Sequence, residues 1–306
     1  MARFALRRIL QGFVVIFGVT TVVFVVTRLI GDPVRMMLPM EATNEERDAF
    51  ARELGFDRPI PTQFVDFLGD LVRFDFGDSL WQRRPALDIV LEHLPRTFSL
   101  VGAGMGLAIV LSLAMGLASA LRPGSLLDRI MVTTSLAGLS IPEFWLGLLL
   151  IMVFGVQLGW FPTSGTGSFG HMVLPTVTLA LPIAGRLAMM VRSTMIDELN
   201  RQWVRTAKAK GMPFRRTVGV HALRNAAVPV VTLAGWELIR ALAGYAVVVE
   251  TVFAWPGIGF LALQAVSRQD LMLLQAIVFV VAVLVVVVNV AIDVAYKAID
   301  PRIELT

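Results

Sequence analysis

Six stretches of this chain are each long and apolar enough to cross a bilayer, and no other feature limits its fold as much. A spanning helix needs about 20 predominantly apolar residues, because inside hydrocarbon every backbone N–H and C=O must find its partner within the segment. Windows of that kind run over residues 9–30, 97–121, 130–158, 172–191, 226–249 and 271–292. The whole chain agrees, with 56% hydrophobic and 16% charged residues, against about 45–50% and about 25% in a soluble protein. The expected fold is all-α and integral to the membrane, with six transmembrane helices.

Basic residues orient them, since Lys and Arg stay on the cytoplasmic side of short loops. Arg3, Arg7 and Arg8 precede the first window, and Arg122 and Arg129 lie between the second and third. Arg192, Arg201, Arg205, Lys208, Lys210, Arg215, Arg216 and Arg224 crowd the stretch between the fourth and fifth, and Lys297 and Arg302 follow the last. The opposite loops, 159–170 and 251–270, contain only Arg268. Both termini are therefore expected in the cytoplasm. A cleaved leader would have an apolar run of about 7–15 residues ending at small residues; here the run is longer and leads into Arg28 and Gly31-Asp32-Pro33.

The expected organisation is an N-terminal part, 1–96, made of the first helix and an external cap, and a five-helix core, 97–306. In the cap, Thr43-Asn44-Glu45-Glu46 has the form of a capping box opening a helix toward Leu54 and Gly55. Phe64, Phe67, Leu68 and Leu71 recur at helical spacing and would lie on the bilayer surface or on the spans. Pro59, Pro61, Gly69 and Gly77 keep the rest irregular.

The sequence excludes several chemistries. There is no Cys, and His93, His171 and His221 are far apart, with no HExxH; no metal site is expected. No GxSxG and no paired Asp within a span suggests an intramembrane enzyme. No GxxxxGK[ST] is present to cradle a nucleotide's phosphates, so ATP must be handled by other subunits. A secondary transporter would show two repeated halves, and none is apparent.

Ionisable residues inside spans are expensive and face a bundle interior or water by default. Glu143, Glu237 and Arg240 are the pathway candidates. Glu237 and Arg240 stand at i and i+3 and could instead pair with each other, while Arg186, close to Arg192, is read as snorkelling toward an interface. Pro142, Pro175, Pro182 and Pro229 allow bends within helices. Trp255-Pro256-Gly257 makes a tight external turn, either an aromatic-belt anchor or a contact for an outside partner.

The loop 197–225, DELNRQWVRTAKAKGMPFRRTVGVHALRN, is more than a topology signal. Leu199, Trp203 and Thr206/Ala207 form an apolar stripe on a helix whose other faces carry Arg201, Arg205 and Lys208. Gly211 stops that helix, Pro213 follows, and a second helix carries Phe214, Val218 and Ala222 on one side. Ala207, Ala209 and Gly211 would let a partner approach closely.

RTAKAKGMPFRRTVGVHALRN resembles the cytoplasmic coupling loop of ABC-importer permeases, whose general form is EAAxxxG followed further on by IxLP. Ala207, Gly211 and Leu223 match that form; Arg205, Thr206 and Arg224 depart from it and instead resemble the first permease of dipeptide, oligopeptide and nickel importers. LGFDRPIPTQFVDFLGDL, SIPEFWLGLLLIMVFGVQLGWFPTSG, HMVLPTVTLALP and VVVETVFAWPGIGFLALQAVSRQD are similar to the same branch, so the resemblance covers nearly the whole chain. It implies a permease of a bacterial or archaeal inner membrane that works with a second homologous permease, two ATP-binding subunits carrying ATP and Mg, and an external substrate-binding protein, amid membrane lipid and without nucleic acid. It also implies that Leu199, Trp203, Arg205, Thr206, Ala207, Lys208, Ala209 and Gly211 couple to an ATP-binding subunit, and that Trp255, Pro256 and Gly257 face the binding protein or an outer gate. Peptides are the implied cargo, with nickel chelates, glutathione and other small solutes as alternatives.

Overall fold

The computed structural model describes residues 2–29, 38, 42–53 and 55–299. The Gly31-Asp32-Pro33 exit and Arg302 lie outside the described residues. Among those described, the named elements are all helical. They are α1 (Ala2–Leu29), α2 (Asn44–Glu53), α3 (Ile60–Arg73), α4 (Ala86–Leu121), α5 (Leu126–Ser140), α6 (Glu143–Leu150), α7 (Phe169–Leu199), α8 (Gln202–Ala209), α9 (Leu223–Arg240), α10 (Ala246–Val252), α11 (Ile258–Ser267) and α12 (Leu271–Ile299). Wide π-helical turns follow α6 (Ile151–Gln157), precede α9 (Thr217–Ala222) and join α9 to α10 (Ala241–Tyr245).

Five helical segments are long and apolar enough to cross a membrane: Leu10–Thr27, Ala86–Leu121, Phe169–Leu199, Thr217–Val252 and Leu271–Val294. The third apolar window is not one helix, as hydropathy suggests, but two arms bent by 104°. Pro142 cannot donate to the helical ladder and disfavours helical backbone at the residue before it, and Ile141 is extended at φ −86°, ψ 124°. The second segment starts at Ala86, well before the apolar window. Asp88, Glu92 and His93 hide its first turns from a hydropathy reading, but Ala86, Ile89 and Val90 are fully buried there.

The chain forms two compact units, residues 1–96 with 257–286 and residues 97–256 with 287–306. In the first, the capping box forms: the Thr43 amide donates to Glu46 Oε2 at 2.8 Å and the Glu46 amide to Thr43 Oγ1 at 3.3 Å. The Thr43 amide, and after it the Thr43 hydroxyl, which also donates to Glu46 Oε2 at 3.0 Å, hold the Glu46 carboxyl below its usual range. The aromatic stripe of α3 lies on the first span, with Phe24 ring centroids 5.1 Å from Phe64 and 5.2 Å from Phe67. Ile89, Leu261, Leu273 and Phe76 are among the core residues of this unit.

Asp270 ties its loops together. It is 1% exposed, accepts from Ser79 Oγ at 2.5 Å and the Trp81 amide at 3.2 Å, and caps α12 through the Leu273 amide at 3.1 Å. Asp270→Ala leaves those buried donors without their acceptor, an expected cost of about 1–3 kcal/mol. A drop in the thermal midpoint in detergent, larger than that for exposed Asp57→Ala, checks it.

The second unit is built on α7. Leu100, Leu179, Ile183, Leu187, Val249 and Phe253 are buried in one cluster. At Gly185 the backbones of α7 and α5 approach closely: a Cβ there would stand 2.8 Å from the Ser135 carbonyl oxygen.

Candidate functional site

Between α7 and the next long helix the chain makes the expected short helix and stop. In α8 the Gly211 amide donates to the Lys208 carbonyl and the Met212 amide to the Ala207 carbonyl, both at 3.0 Å. Gly211 sits at φ +74°, left-handed backbone that glycine adopts without strain, and Pro213 follows. The helix after the turn is not a separate piece. It starts at Phe214 and runs through the π-turn into α9, so the whole of Thr217–Val252 is one segment.

The faces of α8 divide cleanly. Val204 is 1% exposed, and Leu199 and Trp203 pack with Val218 and Leu223 against a cluster containing Val191, Met195, Ala222 and Ala226. Trp203 meets His221 edge to face at 6.1 Å. The apolar stripe therefore seats α8 on its own chain. Arg205, Thr206, Lys208, Ala209 and Gly211 are exposed and Ala207 is half-buried. Lys208 Nζ lies 5.7 Å above the Phe214 ring. The surface open to a partner is thus polar, basic and small-residued.

Inside the spans, Arg186 does not snorkel. Its Nε and Nη2 donate to the two oxygens of Glu237, each at 2.8 Å, and its guanidinium lies 5.4 Å from the Tyr245 ring centroid. Glu237 is fully buried. An unpaired charge at that depth is costly, and a two-pronged guanidinium–carboxylate contact satisfies both groups at once. The i, i+3 pairing also forms, with Arg240 Nη1 3.4 Å from Glu237 Oε1, while the Arg240 side chain stays 55% exposed. Glu143, in the first turn of α6, lies within electrostatic reach of Arg186 and Glu237. The structure therefore groups the three pathway candidates and adds Arg186.

Two buried carboxylates were not evident in the sequence. Asp128 accepts from Arg192 Nε and Nη2 at 2.7 and 2.8 Å, from the Gly124 amide and from Ser119 Oγ. Arg122, Arg129 and Arg192 look like simple topology charges; only Ser125, the N-cap three residues before Asp128, hints at the arrangement. Glu250 is fully buried and accepts from Thr97 Oγ1 at 2.6 Å; an acid within VVVETVF offers little warning. Trp255, read as an external contact, is 6% exposed and belongs to the core of the second unit, with Gly257 also buried and Pro256 half-buried. Ala254, at φ +47°, is the exposed residue of that turn.

These groupings provide charged side chains within long apolar segments and a short basic helix exposed between two of them, which is equipment a transport subunit uses. Residues 108–305 match the binding-protein-dependent transport system inner membrane component, and residues 1–101 match the N-terminal part of such membrane components. The chain belongs to this family and is a multi-pass inner-membrane permease of an ABC importer.

The chain is 37% identical over 316 residues to the oligopeptide transport system permease protein AppB of Bacillus subtilis, covering 99% of this chain and 100% of that one. It is 39% identical to the di/tripeptide transport system permease protein DppB of Pseudomonas aeruginosa, covering 99% of each. It is 36% identical to the glutathione transport system permease protein GsiC of Escherichia coli K12, again over 99% of each. Among solved structures, a chain of the MetNI methionine ABC transporter in inward-facing conformations superposes with a TM-score of 0.59 at 20% identity, covering 69% of this chain and 96% of that one. That likeness concerns the fold.

Proposed function

We propose that this chain forms, with a second homologous permease, the alternating-access pathway by which an ATP-driven importer carries peptides into the cell. Six spans are counted when the α5–α6 pair is taken as one, and both termini and α8 then lie in the cytoplasm, where the basic residues favour them. An external binding protein delivers the solute. Two ATP-binding subunits hold ATP and Mg, and α8 is the coupling helix that docks on one of them. Cargo follows the oligopeptide and di/tripeptide relatives; glutathione and nickel chelates are the alternatives.

The observation that carries this reading is the seating of α8. Its apolar stripe is used against the chain's own core, and its exposed face has small residues flanked by cations at the end of two long helices. A displacement of that face is carried into α7 and into the Thr217–Val252 segment. Coupling requires that the ATP-binding subunits hold the two states of the pathway with different affinity, not mere contact.

Co-purification tests it. A tagged chain expressed with its partners should retain an ATP-binding subunit, and Gly211→Glu, which strains the left-handed turn and puts an acid on a basic face, should lose it. Lys208→Glu, which leaves the turn intact, should weaken retention without changing the chain's thermal midpoint. Solute accumulation by the chain alone in liposomes would overturn the proposal.

A further inference from the structure

The three charged groups joined on α7 and α9 are not equivalent. Glu237 gives both oxygens to Arg186 in two 2.8 Å bonds, so that pair is closed. Arg240 touches only an already occupied oxygen, at 3.4 Å, and is more than half exposed. A guanidinium carries five N–H donors, and this contact uses one. Among the described residues Glu143 forms no ion pair with Arg240. An arginine exposed partway along a span is too costly to face lipid and belongs on a water-filled or protein-lined surface.

The same face of the helix carries further exposed positions. Trp236, four residues earlier and therefore one turn away, is 56% exposed. On the other side of Arg240, Ala243 and Gly244 are exposed, and a Cβ added at Gly244 would have no atom within 4 Å. A cation thus stands between an exposed aromatic side chain and an open position, in contact with Glu237 through one donor at 3.4 Å while the shorter bonds of that carboxylate go to Arg186.

We infer that Arg240 reads the carboxylate of the cargo, with Trp236 carrying an adjoining apolar side chain. The inference rests on the peptide-importer reading, since a peptide ends in a carboxylate. Arg186 and Glu237 are positioning residues: their closed pair keeps Arg240 available.

The test uses the assembled complex of permeases and ATP-binding subunits in nanodiscs, without the binding protein, so that the latter's selectivity does not enter. Alanylphenylalanine and its C-terminal amide are titrated as labelled probes. The wild type should bind the free acid about tenfold or more tighter than the amide, the increment expected of a charge-assisted bond. Arg240→Gln should erase that difference by weakening the acid alone, and Arg240→Lys should restore part of it. Equal loss for both probes, no loss for either, absence of binding by the wild type, or dissociation of the second permease from Arg240→Gln would each overturn the inference. The last result would mean that Arg240 pairs with a partner subunit's acid. Uptake of alanylphenylalanine by the complete importer with its binding protein reports separately on the importer reading.

Discussion

Glu237→Leu on its own should nearly abolish recovery of folded protein, and adding Arg186→Met should bring it back. The single change strands a guanidinium that the fold has drawn against a fully buried partner, and breaking such a pair costs about 3–5 kcal/mol. Replacing both partners with apolar side chains of similar size removes the stranded charge, and such exchanges are often neutral or stabilising. The decisive measurement is the fraction of monodisperse protein surviving a heating series in detergent for the wild type, both single variants and the double. A tolerated Glu237→Leu would show that the pair carries little of the stability. Arg240 also loses its carboxylate in the Glu237 variants, but its side chain is 55% exposed, so the double variant reports mainly on the buried Arg186–Glu237 pair.

Gly185→Ala should be the most damaging small substitution in α7. Its Cβ would stand 2.8 Å from the Ser135 carbonyl oxygen, and a backbone atom in the facing helix cannot swing aside as a side-chain tip can. Overpacking of this kind costs about 1–3 kcal/mol, and Gly185→Leu should leave no folded protein. Gly106, a helical glycine with no atom within 4 Å of its virtual Cβ, is the matched control. Gly106→Ala should keep the wild-type thermal midpoint, and equal losses at the two positions would refute the close-approach explanation.

Much of this architecture was legible because hydropathy and local stops act within a few residues. The membrane windows, the Thr43–Glu46 box, the α8 helix and the Gly211 stop all depend on near neighbours in sequence, and each was readable without tertiary information. The break at Pro142 was legible only as a capacity to bend; its size depends on how both arms pack against α7. Side-chain partnership was the least readable. Arg186 and Glu237 are 51 residues apart, and proximity to Arg192 made snorkelling the simpler expectation. The stripe of Leu199 and Trp203 is apolar by its spacing, yet periodicity alone does not say whether such a face serves a partner or the chain itself. For the same reason Trp255 read as an outward aromatic, when burial turns it inward.

The broken third segment also bears on how the protein is made. The arm before the break, α5, has 15 residues, and α6 with its π-turn adds 8 and 7, so each arm is about 22 Å long, short of a hydrocarbon core about 30 Å thick. Neither arm can settle as a stable span on hydropathy alone, and the free backbone groups at the 104° corner must be sheltered by protein. Both arms pack on α7, so the stretch from Leu126 to Gln157 depends for its burial on a helix that follows it in the chain.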